Sequence, residues 1–123
     1  EVHAVETEAA MLSALDRGWR TAPGLKRVTH EARDLFRRPL LPDELDAHDA
    51  IVIDPPRAGA EAQVAEICTS KTRRLAYVSC NPVTFARDAA ALIAAGFALE
   101  ELIVVDQFRW SPHIELAARF RRG

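Results

Sequence analysis

The sequence is poor in the features that mark several classes of protein. Its 123 residues include two cysteines, too few for a disulfide framework, and we expect both to be reduced thiols of a cytoplasmic protein. No apolar run approaches the roughly 18 residues that a membrane-spanning helix needs, so no membrane contact is predicted. The histidines and cysteines show no ligand spacing for zinc, and no metal site is predicted. The net charge of -2 gives no general signal for binding a polyanion.

The sequence does contain alternating strand and helix patterns, which predict an α/β fold. Residues 49–53 are an apolar run typical of a parallel strand that is buried on both faces. Two closing strands without a helix between them predict an antiparallel hairpin at the edge of a mostly parallel sheet. The predicted strands are 2–5, 25–29, 49–53, 75–78, 97–105 and 114–120, and the predicted helices are 7–19, 42–45, 60–69 and 82–95.

We expect residues 1–123 to be one domain at most, because a chain of this length builds a single core. The chain opens on Glu1, directly in a strand pattern. We therefore interpret it as part of a longer protein.

The most informative stretch surrounds Cys80. The apolar run that ends before it predicts a strand, and Pro82 suits the first turn of the helix that follows. A cysteine in a short loop before a helix N-terminus is held where the helix dipole favours the thiolate, the form that attacks electrophiles. The alternative is that Cys80 is a small buried apolar residue, as most free cysteines are.

Three carboxylates accompany Cys80 at predicted strand ends. Glu6 and Asp54 directly follow strands, and Asp34 lies one loop after another. The carboxyl ends of parallel strands line one crevice of a doubly wound sheet, where ligands bind. Glu6 suits ribose hydroxyls and Asp34 an exocyclic amine of a base, because carboxylate oxygens accept hydrogen bonds. Each of these acids taken singly is equally compatible with a solvated surface.

Two further motifs carry polar side chains. In Asp54-Pro-Pro-Arg57 the prolines fix the backbone, so that the carboxylate is preorganised for a ligand, although a plain proline-rich turn is the alternative. In His113-Ile-Glu115 both polar side chains fall on the same face of a strand. Apolar surroundings favour the protonated form of a carboxylate, which suits Glu115 to general-base work near neutral pH. The alternative for Glu115 is an edge position facing water.

Together these motifs resemble the RNA uracil-5 methyltransferases, which use S-adenosylmethionine to make 5-methyluridine in ribosomal or transfer RNA. The resemblance covers nearly the whole chain. It is carried by Asp54-Pro-Pro-Arg57-Ala-Gly59, by Ser79-Cys80-Asn-Pro82-x-Thr84-x-Ala-Arg87-Asp88, and by Asp106-x-Phe108 followed by His113-x-Glu115. It implies a Rossmann-like methyltransferase fold. Arg57 stands where the amino-group methyltransferases carry an aromatic residue, which argues against an adenine N6 target.

The resemblance also implies roles for individual residues. Cys80 would be the nucleophile and Glu115 the general base. The cofactor S-adenosylmethionine would be held at its ribose by Glu6, near its adenine by Asp34, and near its methionine end by Asp54. Arg57 and His113 are expected to contact the substrate, an RNA.

Measured against the family pattern, the first strand and its glycine-rich cofactor loop are lacking. The strand that ends at Glu6 matches the family's second strand. We therefore expect these 123 residues alone to bind the cofactor weakly and to be inactive. The open edge left by the missing strand would be a gap, or would pair directly with its neighbour, or would be filled by a second molecule as a dimer.

Two other functions fit the same residues. A thiol hydrolase could use Cys80 with His113, although the sequence shows no evident oxyanion device. A binding module could retain the fold and bind RNA without catalysis, although the intact Cys80 and Glu115 argue against it.

Overall fold

A computed structural model of the chain describes residues 1–106 and 108–123. The described residues form two compact units, residues 1–38 and 39–123. The first unit contains β1 (Val2–Glu6), α1 (Ala9–Thr21) and β2 (Val28–Ala32). The second contains α2 (Pro42–Leu45), β3 (Ile51–Ile53), α3 (Glu61–Thr69), β4 (Arg74–Ser79), α4 (Pro82–Ala94), β5 (Ala98–Val105) and β6 (Glu115–Arg121). Nowhere in these ranges is a helix both long and apolar enough to cross a membrane.

The first unit is a parallel pair of strands with one helix. β1 and β2 run in register from Val2 opposite Val28 to Glu6 opposite Ala32. The second strand therefore lies three residues later than predicted, because its pairing with β1 sets its bounds and Leu25 is left exposed. Threonine is a favoured N-cap residue, and Thr7 before the predicted helix indicates a cap there, but this expectation is wrong. The helix begins after Glu8, and the Thr7 hydroxyl donates to the Arg33 carbonyl over 3.4 Å.

The second unit has a four-stranded mixed sheet in the order β3-β4-β6-β5. β3 and β4 are parallel, whereas β6 is antiparallel to both of its neighbours, β4 and β5. The predicted antiparallel hairpin at the end of the chain is therefore confirmed. The last strand enters the sheet between β4 and β5 and leaves β5 at the edge. Each unit has its own sheet, so β1 and β3 belong to different sheets.

The core of the second unit lies between its sheet and the helices α3 and α4. Every second residue of β4 and β6 is buried, which is the period expected of a strand covered on one face. Tyr77 and Phe85 meet edge to face with their ring centroids 5.3 Å apart, and Phe120 packs beside Phe85. Leu92 of α4 and Ile67 of α3 complete the centre of this core.

The expectation that residues 49–53 are buried on both faces is wrong. The strand is shorter, Ile51–Ile53, and its central Val52 is 73% exposed. Side chains alternate along a strand, so Ile51 and Ile53 contact the core while Val52 projects from the face that α3 and α4 leave uncovered. The apolar run identified a strand correctly but did not show which of its faces is covered.

Candidate active site

Cys80 occupies the short turn between β4 and α4, as predicted. Ser79 fixes this turn: its hydroxyl accepts from the Asn81 N–H over 3.0 Å and contacts the Asn81 carbonyl at 3.0 Å. The Asn81 side chain in turn caps α4 by accepting from the N–H of Val83 over 3.1 Å. Cys80 is half-buried directly before this cap. Cys80 therefore directly precedes a helix N-terminus, on a backbone that is held by the contacts of Ser79 and Asn81.

The strand register brings Glu115 to the same place. β4 and β6 pair continuously up to Ser79 opposite Leu116, so the next positions along the two strands are Cys80 and Glu115. Glu115 is the first residue of β6, is half-buried, and is paired on its other side with Val105. Cys80 and Glu115, thirty-five positions apart in sequence, thus occupy neighbouring backbone positions at one end of the sheet.

Arg57 connects this turn to the loop before β6. Its Nη1 atom donates to the Cys80 carbonyl over 3.0 Å and contacts Nδ1 of His113 at 3.3 Å. One guanidinium nitrogen thus joins the backbone of the thiol residue to the imidazole. Two residues expected to contact substrate, Arg57 and His113, are brought together around Cys80.

His113 is positioned differently from the prediction. It was expected on a strand, on the same face as Glu115, but it precedes β6 and lies in the loop. Its N–H donates to the Ser111 hydroxyl over 3.2 Å, a local turn contact that replaces strand pairing. The position of His113 beside the site therefore comes from its bond to Arg57.

The backbone of Arg57 is held by the helix that follows Cys80. The Arg57 carbonyl accepts from the Asn81 side-chain amide over 2.9 Å and from the Thr84 hydroxyl over 2.8 Å. These two side chains belong to the second of the motifs that surround the site. Asn81 and Thr84 therefore hold the Asp54–Gly59 loop against the start of α4.

Asp88 also holds the end of the Asp54–Gly59 loop against α4, a role that the sequence analysis did not predict. Its side chain, 1% exposed, accepts from the Ala60 N–H over 2.8 Å and from the Tyr77 hydroxyl over 2.6 Å. Arg87 pairs with Asp88 at 3.0 Å and donates to the Ala58 carbonyl. A signal was available: in α4 the buried positions are Phe85, Asp88, Ala89 and Leu92, so a carboxylate occupies an apolar-face position.

Asp54 lies at the same end of the sheet as Cys80. It follows β3, whose last residue Ile53 pairs with Tyr77 of the parallel β4, two residues before the end of that strand. The side chain of Asp54 is exposed. The second unit thus places Asp54, Cys80 and Glu115 along one sheet edge.

In the first unit, Glu6 is the last residue of β1, and Asp34 lies two residues after the end of β2. Oε1 of Glu6 accepts from the N–H groups of Thr7 and Glu8 over 2.8 and 3.2 Å. Oδ1 of Asp34 accepts from the Phe36 N–H over 2.9 Å. Both carboxylates are half-buried and oriented by backbone donors, while an ionised carboxylate can accept further bonds. They fit the hydroxyl and amine groups of a nucleoside.

The other cysteine differs in environment. Cys68 of α3 packs against the core, and its thiol contacts the Ala91 carbonyl at 3.6 Å. Burial raises the pKa of the Cys68 thiol, which keeps it protonated and unreactive. Among residues 1–106 and 108–123 no cluster of three or more His, Cys, Asp or Glu side chains is placed to hold a metal ion.

Comparison with known families and sequences identifies similar proteins. Residues 21–122 match the family described as tRNA (Uracil-5-)-methyltransferase. An uncharacterized RNA methyltransferase of Brucella suis is 54% identical over 99% of this chain and 29% of its own length. A 23S rRNA (uracil(1939)-C(5))-methyltransferase of Pseudomonas putida is 44% identical over 78 residues, 63% of this chain and 17% of its own length. The chain thus spans about three-tenths of the Brucella relative.

Solved structures of methyltransferases are also similar to this chain. The tRNA (uracil-54, C5)-methyltransferase of Pyrococcus abyssi, in complex with S-adenosyl-L-homocysteine, superimposes with a TM-score of 0.81 and 27% identity. The match covers 98% of this chain and 28% of that one. A putative S-adenosylmethionine-dependent methyltransferase of Listeria monocytogenes matches with a TM-score of 0.70 at 11% identity, a likeness of fold alone. The predicted Rossmann-like methyltransferase fold is confirmed.

Proposed function

The chain belongs to the tRNA (uracil-5-)-methyltransferase family, and from that premise we propose that it supplies the nucleophile and the base for methylation of C5 of a uridine in RNA. Cys80 is the nucleophile and Glu115 the base. The observation that carries this assignment is the β4–β6 register, in which Cys80 and Glu115 are the positions that follow the last pair, Ser79 and Leu116.

The chemistry requires both groups. C5 of uracil is a poor nucleophile, so the thiolate of Cys80 first adds to C6, and the electrons of the C5–C6 double bond move into an enolate that ends on O4. The cofactor S-adenosylmethionine, when bound, would supply an electrophilic methyl group for C5 and would leave as S-adenosylhomocysteine. Glu115 then removes the C5 proton, the C5–C6 double bond re-forms, and the thiolate leaves C6.

Three carboxylates are proposed to hold the cofactor: Glu6 at its ribose, Asp34 near its adenine and Asp54 near its methionine end. Support comes from the strand-end positions of all three and from the backbone donors that orient Glu6 and Asp34. Because the chain spans about three-tenths of the Brucella relative, we propose that these 123 residues act within a longer, cytoplasmic polypeptide and are inactive by themselves.

The proposed substrate is ribosomal RNA. Support comes from the Pseudomonas 23S rRNA enzyme, which is 44% identical over 63% of this chain, whereas the Pyrococcus tRNA enzyme is 27% identical over 98% of it. Arg57 and His113 are proposed to contact the RNA beside Cys80. A thiol hydrolase would instead need Cys80 bonded to His113, whereas the described bonds of His113 run to Arg57 and Ser111.

The test is covalent trapping on RNA that contains 5-fluorouridine. Fluorine at C5 cannot leave as a proton does, so we expect the gene product that contains these residues to stall as an adduct with cofactor and ribosomal RNA. The intact mass should increase by the RNA and one methyl group. Cys80→Ser should abolish the adduct, because a hydroxyl does not add to C6 at a useful rate.

The variant Glu115→Gln tests the proposed role of Glu115 as the base. It should still form the adduct on fluorinated RNA, and on ordinary RNA it should accumulate the methylated adduct that the native protein resolves. Cys68→Ser is the matched control and should behave as the native protein. No adduct with either ribosomal or transfer RNA would refute the proposal, and an adduct formed by the 123 residues alone would refute their proposed inactivity.

A further inference from the structure

The contact between Arg57 and His113 determines which ring nitrogen of the imidazole carries the hydrogen. A guanidinium carries only donors, so Nδ1 of His113, 3.3 Å from Nη1 of Arg57, must be the acceptor. A neutral imidazole that accepts at Nδ1 carries its proton on Nε2. The contact with Arg57 thus selects the ring tautomer with an Nε2–H donor.

That donor is available to a ligand. His113 is exposed, and within residues 1–106 and 108–123 no hydrogen bond to its Nε2 is found. Nη1 of Arg57 also donates to the carbonyl of Cys80, so the ring is held next to the turn that bears the thiol. An oriented N–H donor therefore lies beside the proposed nucleophile with nothing in the described part of the chain to receive it.

The proposed reaction needs a donor at this step. When the Cys80 sulfur bonds to C6, the electron pair released from the double bond becomes negative charge on O4 of the uracil ring. Such developing charge is stabilised most by a donor that is already oriented, because no reorganisation is required. Neither Cys80 nor Glu115 can fill this role, since one forms the new bond and the other is an acceptor when ionised.

Building on the proposed function, we propose that His113 is a further catalytic residue, whose Nε2–H donates a hydrogen bond to the O4 enolate formed when Cys80 adds to C6. The proton stays on Nε2 throughout, so the balance of the reaction is unchanged. Arg57 is the positioning residue that sets the tautomer and holds the ring. In the addition step Arg57 acts indirectly, through Nδ1 of His113 and the carbonyl of Cys80, in addition to its proposed contact with the RNA.

The experiment separates this step from methyl transfer. Uridine RNA tritiated at C5 is mixed, without cofactor, with the gene product that contains these residues, and tritium released to water is counted. Release requires addition of Cys80 to C6 and exchange of the C5 proton, and it does not require a methyl donor. Steady-state methylation of the same RNA gives kcat and KM separately.

The variants are chosen to separate a donor from a space-filling ring. His113→Phe keeps a planar ring without a donor, and we expect kcat and tritium release to fall about 10²–10³-fold, as for loss of one oxyanion donor, with little change in KM for RNA. His113→Gln offers an amide oxygen to Arg57 and an N–H to O4, and should restore part of the loss. His48→Phe, at another exposed histidine, is the matched control and should leave kcat unchanged.

The outcomes are distinguishable. Tritium release by the native protein with a large loss in His113→Phe and partial recovery in His113→Gln supports the proposal. Native-like kcat in His113→Phe, or an effect on KM alone, overturns it while the proposed function stands. No release and no adduct with the native protein would mean that the proposed function itself has failed. Thermal unfolding of each variant verifies that it is folded.

Discussion

At the scale of single residues, the polar contact between Tyr77 and Asp88 links the core to the site. The Tyr77 hydroxyl donates to Oδ2 of Asp88 over 2.6 Å, and the same oxygen accepts from the N–H of Ala60 at the end of the Asp54–Gly59 loop. Both side chains are buried, Tyr77 with no exposed surface. A buried carboxylate with these donors is stabilised only while every donor remains in place.

This contact predicts how stability depends on pH. Burial first, and then the hydrogen bond to Asp88, raise the pKa of Tyr77 well above its ordinary value of about 10. The folded state thus holds the phenol proton more tightly than the unfolded state. The contribution is fully present below pH about 10 and is lost as the pH rises above it. We expect the free energy of unfolding to fall with increasing pH in this range, as measured by urea titration.

The sequence makes the check direct, because Tyr77 is its only tyrosine. Phenolate absorbance therefore reports this residue alone and should appear together with unfolding. Tyr77→Phe should cost about 1.5–3 kcal/mol at neutral pH, as for a hydrogen bond to a charged group, and should remove this part of the alkaline loss. Phenolate absorbance near pH 10 in a protein that is still folded would contradict the prediction.

At the scale of elements, the glycine in the Asp54–Gly59 loop is required by what packs on it. Gly59 has φ +78°, a left-handed conformation, and a Cβ added there would lie 2.6 Å from Nη2 of Arg87 and 2.8 Å from Oδ2 of Asp88. Both contacts are shorter than side chains tolerate. The loop can approach α4 this closely only because Gly59 has no side chain.

Two alanine substitutions separate the cost of conformation from the cost of close approach. Gly96, after α4, also has positive φ, but a Cβ there would meet nothing within 4 Å. Gly96→Ala should cost about 1–2 kcal/mol from the left-handed backbone alone. Gly59→Ala should cost more, because Arg87 and Asp88 must also move away from the loop. Urea unfolding of the two variants measures the difference.

The rate of adduct formation gives a second comparison of Gly59→Ala and Gly96→Ala. Gly59→Ala should slow adduct formation on fluorinated RNA, because the loop it displaces carries Arg57. Gly96→Ala should leave the adduct rate unchanged. Equal stability losses for the two variants would show that the close approach of Gly59 to Arg87 and Asp88 contributes nothing.

The elements also show where sequence reasoning succeeds. α4 begins at Pro82 and ends before Gly96, as the proline and glycine signals indicate, because both signals act within one turn of the helix. The predicted bounds of β2 and the predicted burial of Val52 were wrong, because both depend on which strands and helices are neighbours. Local signals identify an element, and its partners decide its bounds and its buried face.

At the scale of the whole molecule, the site also combines features that local sequence signals predict with features that depend on distant residues. The positions of Cys80 and Asp54 followed from their local motifs, at the ends of strands. The clamp by Asp88 and the bond between Arg57 and His113 join residues 28 and 56 positions apart, and no periodic pattern encodes such pairs. For Asp88 the available signal was a carboxylate at an apolar-face position of α4.

The two units differ most in how much core they have. In residues 1–38 the one buried hydrophobic residue of the described core is Leu12, whereas Met11 and Leu15 on the same helix are exposed. All other buried hydrophobic residues belong to residues 39–123. A two-stranded sheet with so little buried apolar surface is only marginally stable. We therefore expect the unit that bears Glu6 and Asp34 to be the less stable one.

Hydrogen exchange tests this difference in the 123-residue chain. Backbone amides of β1 and β2 should exchange orders of magnitude faster than those of β4 and β6, because local opening costs little where few apolar contacts are lost. The expectation that these 123 residues bind the cofactor weakly gives a second prediction. A ligand stabilises by RT ln(1 + [L]/Kd), so S-adenosylmethionine well below its Kd should leave the exchange of β1 unchanged. Similar exchange in both units, or slowing of β1 by micromolar cofactor, would show that residues 1–38 already form a stable binding site.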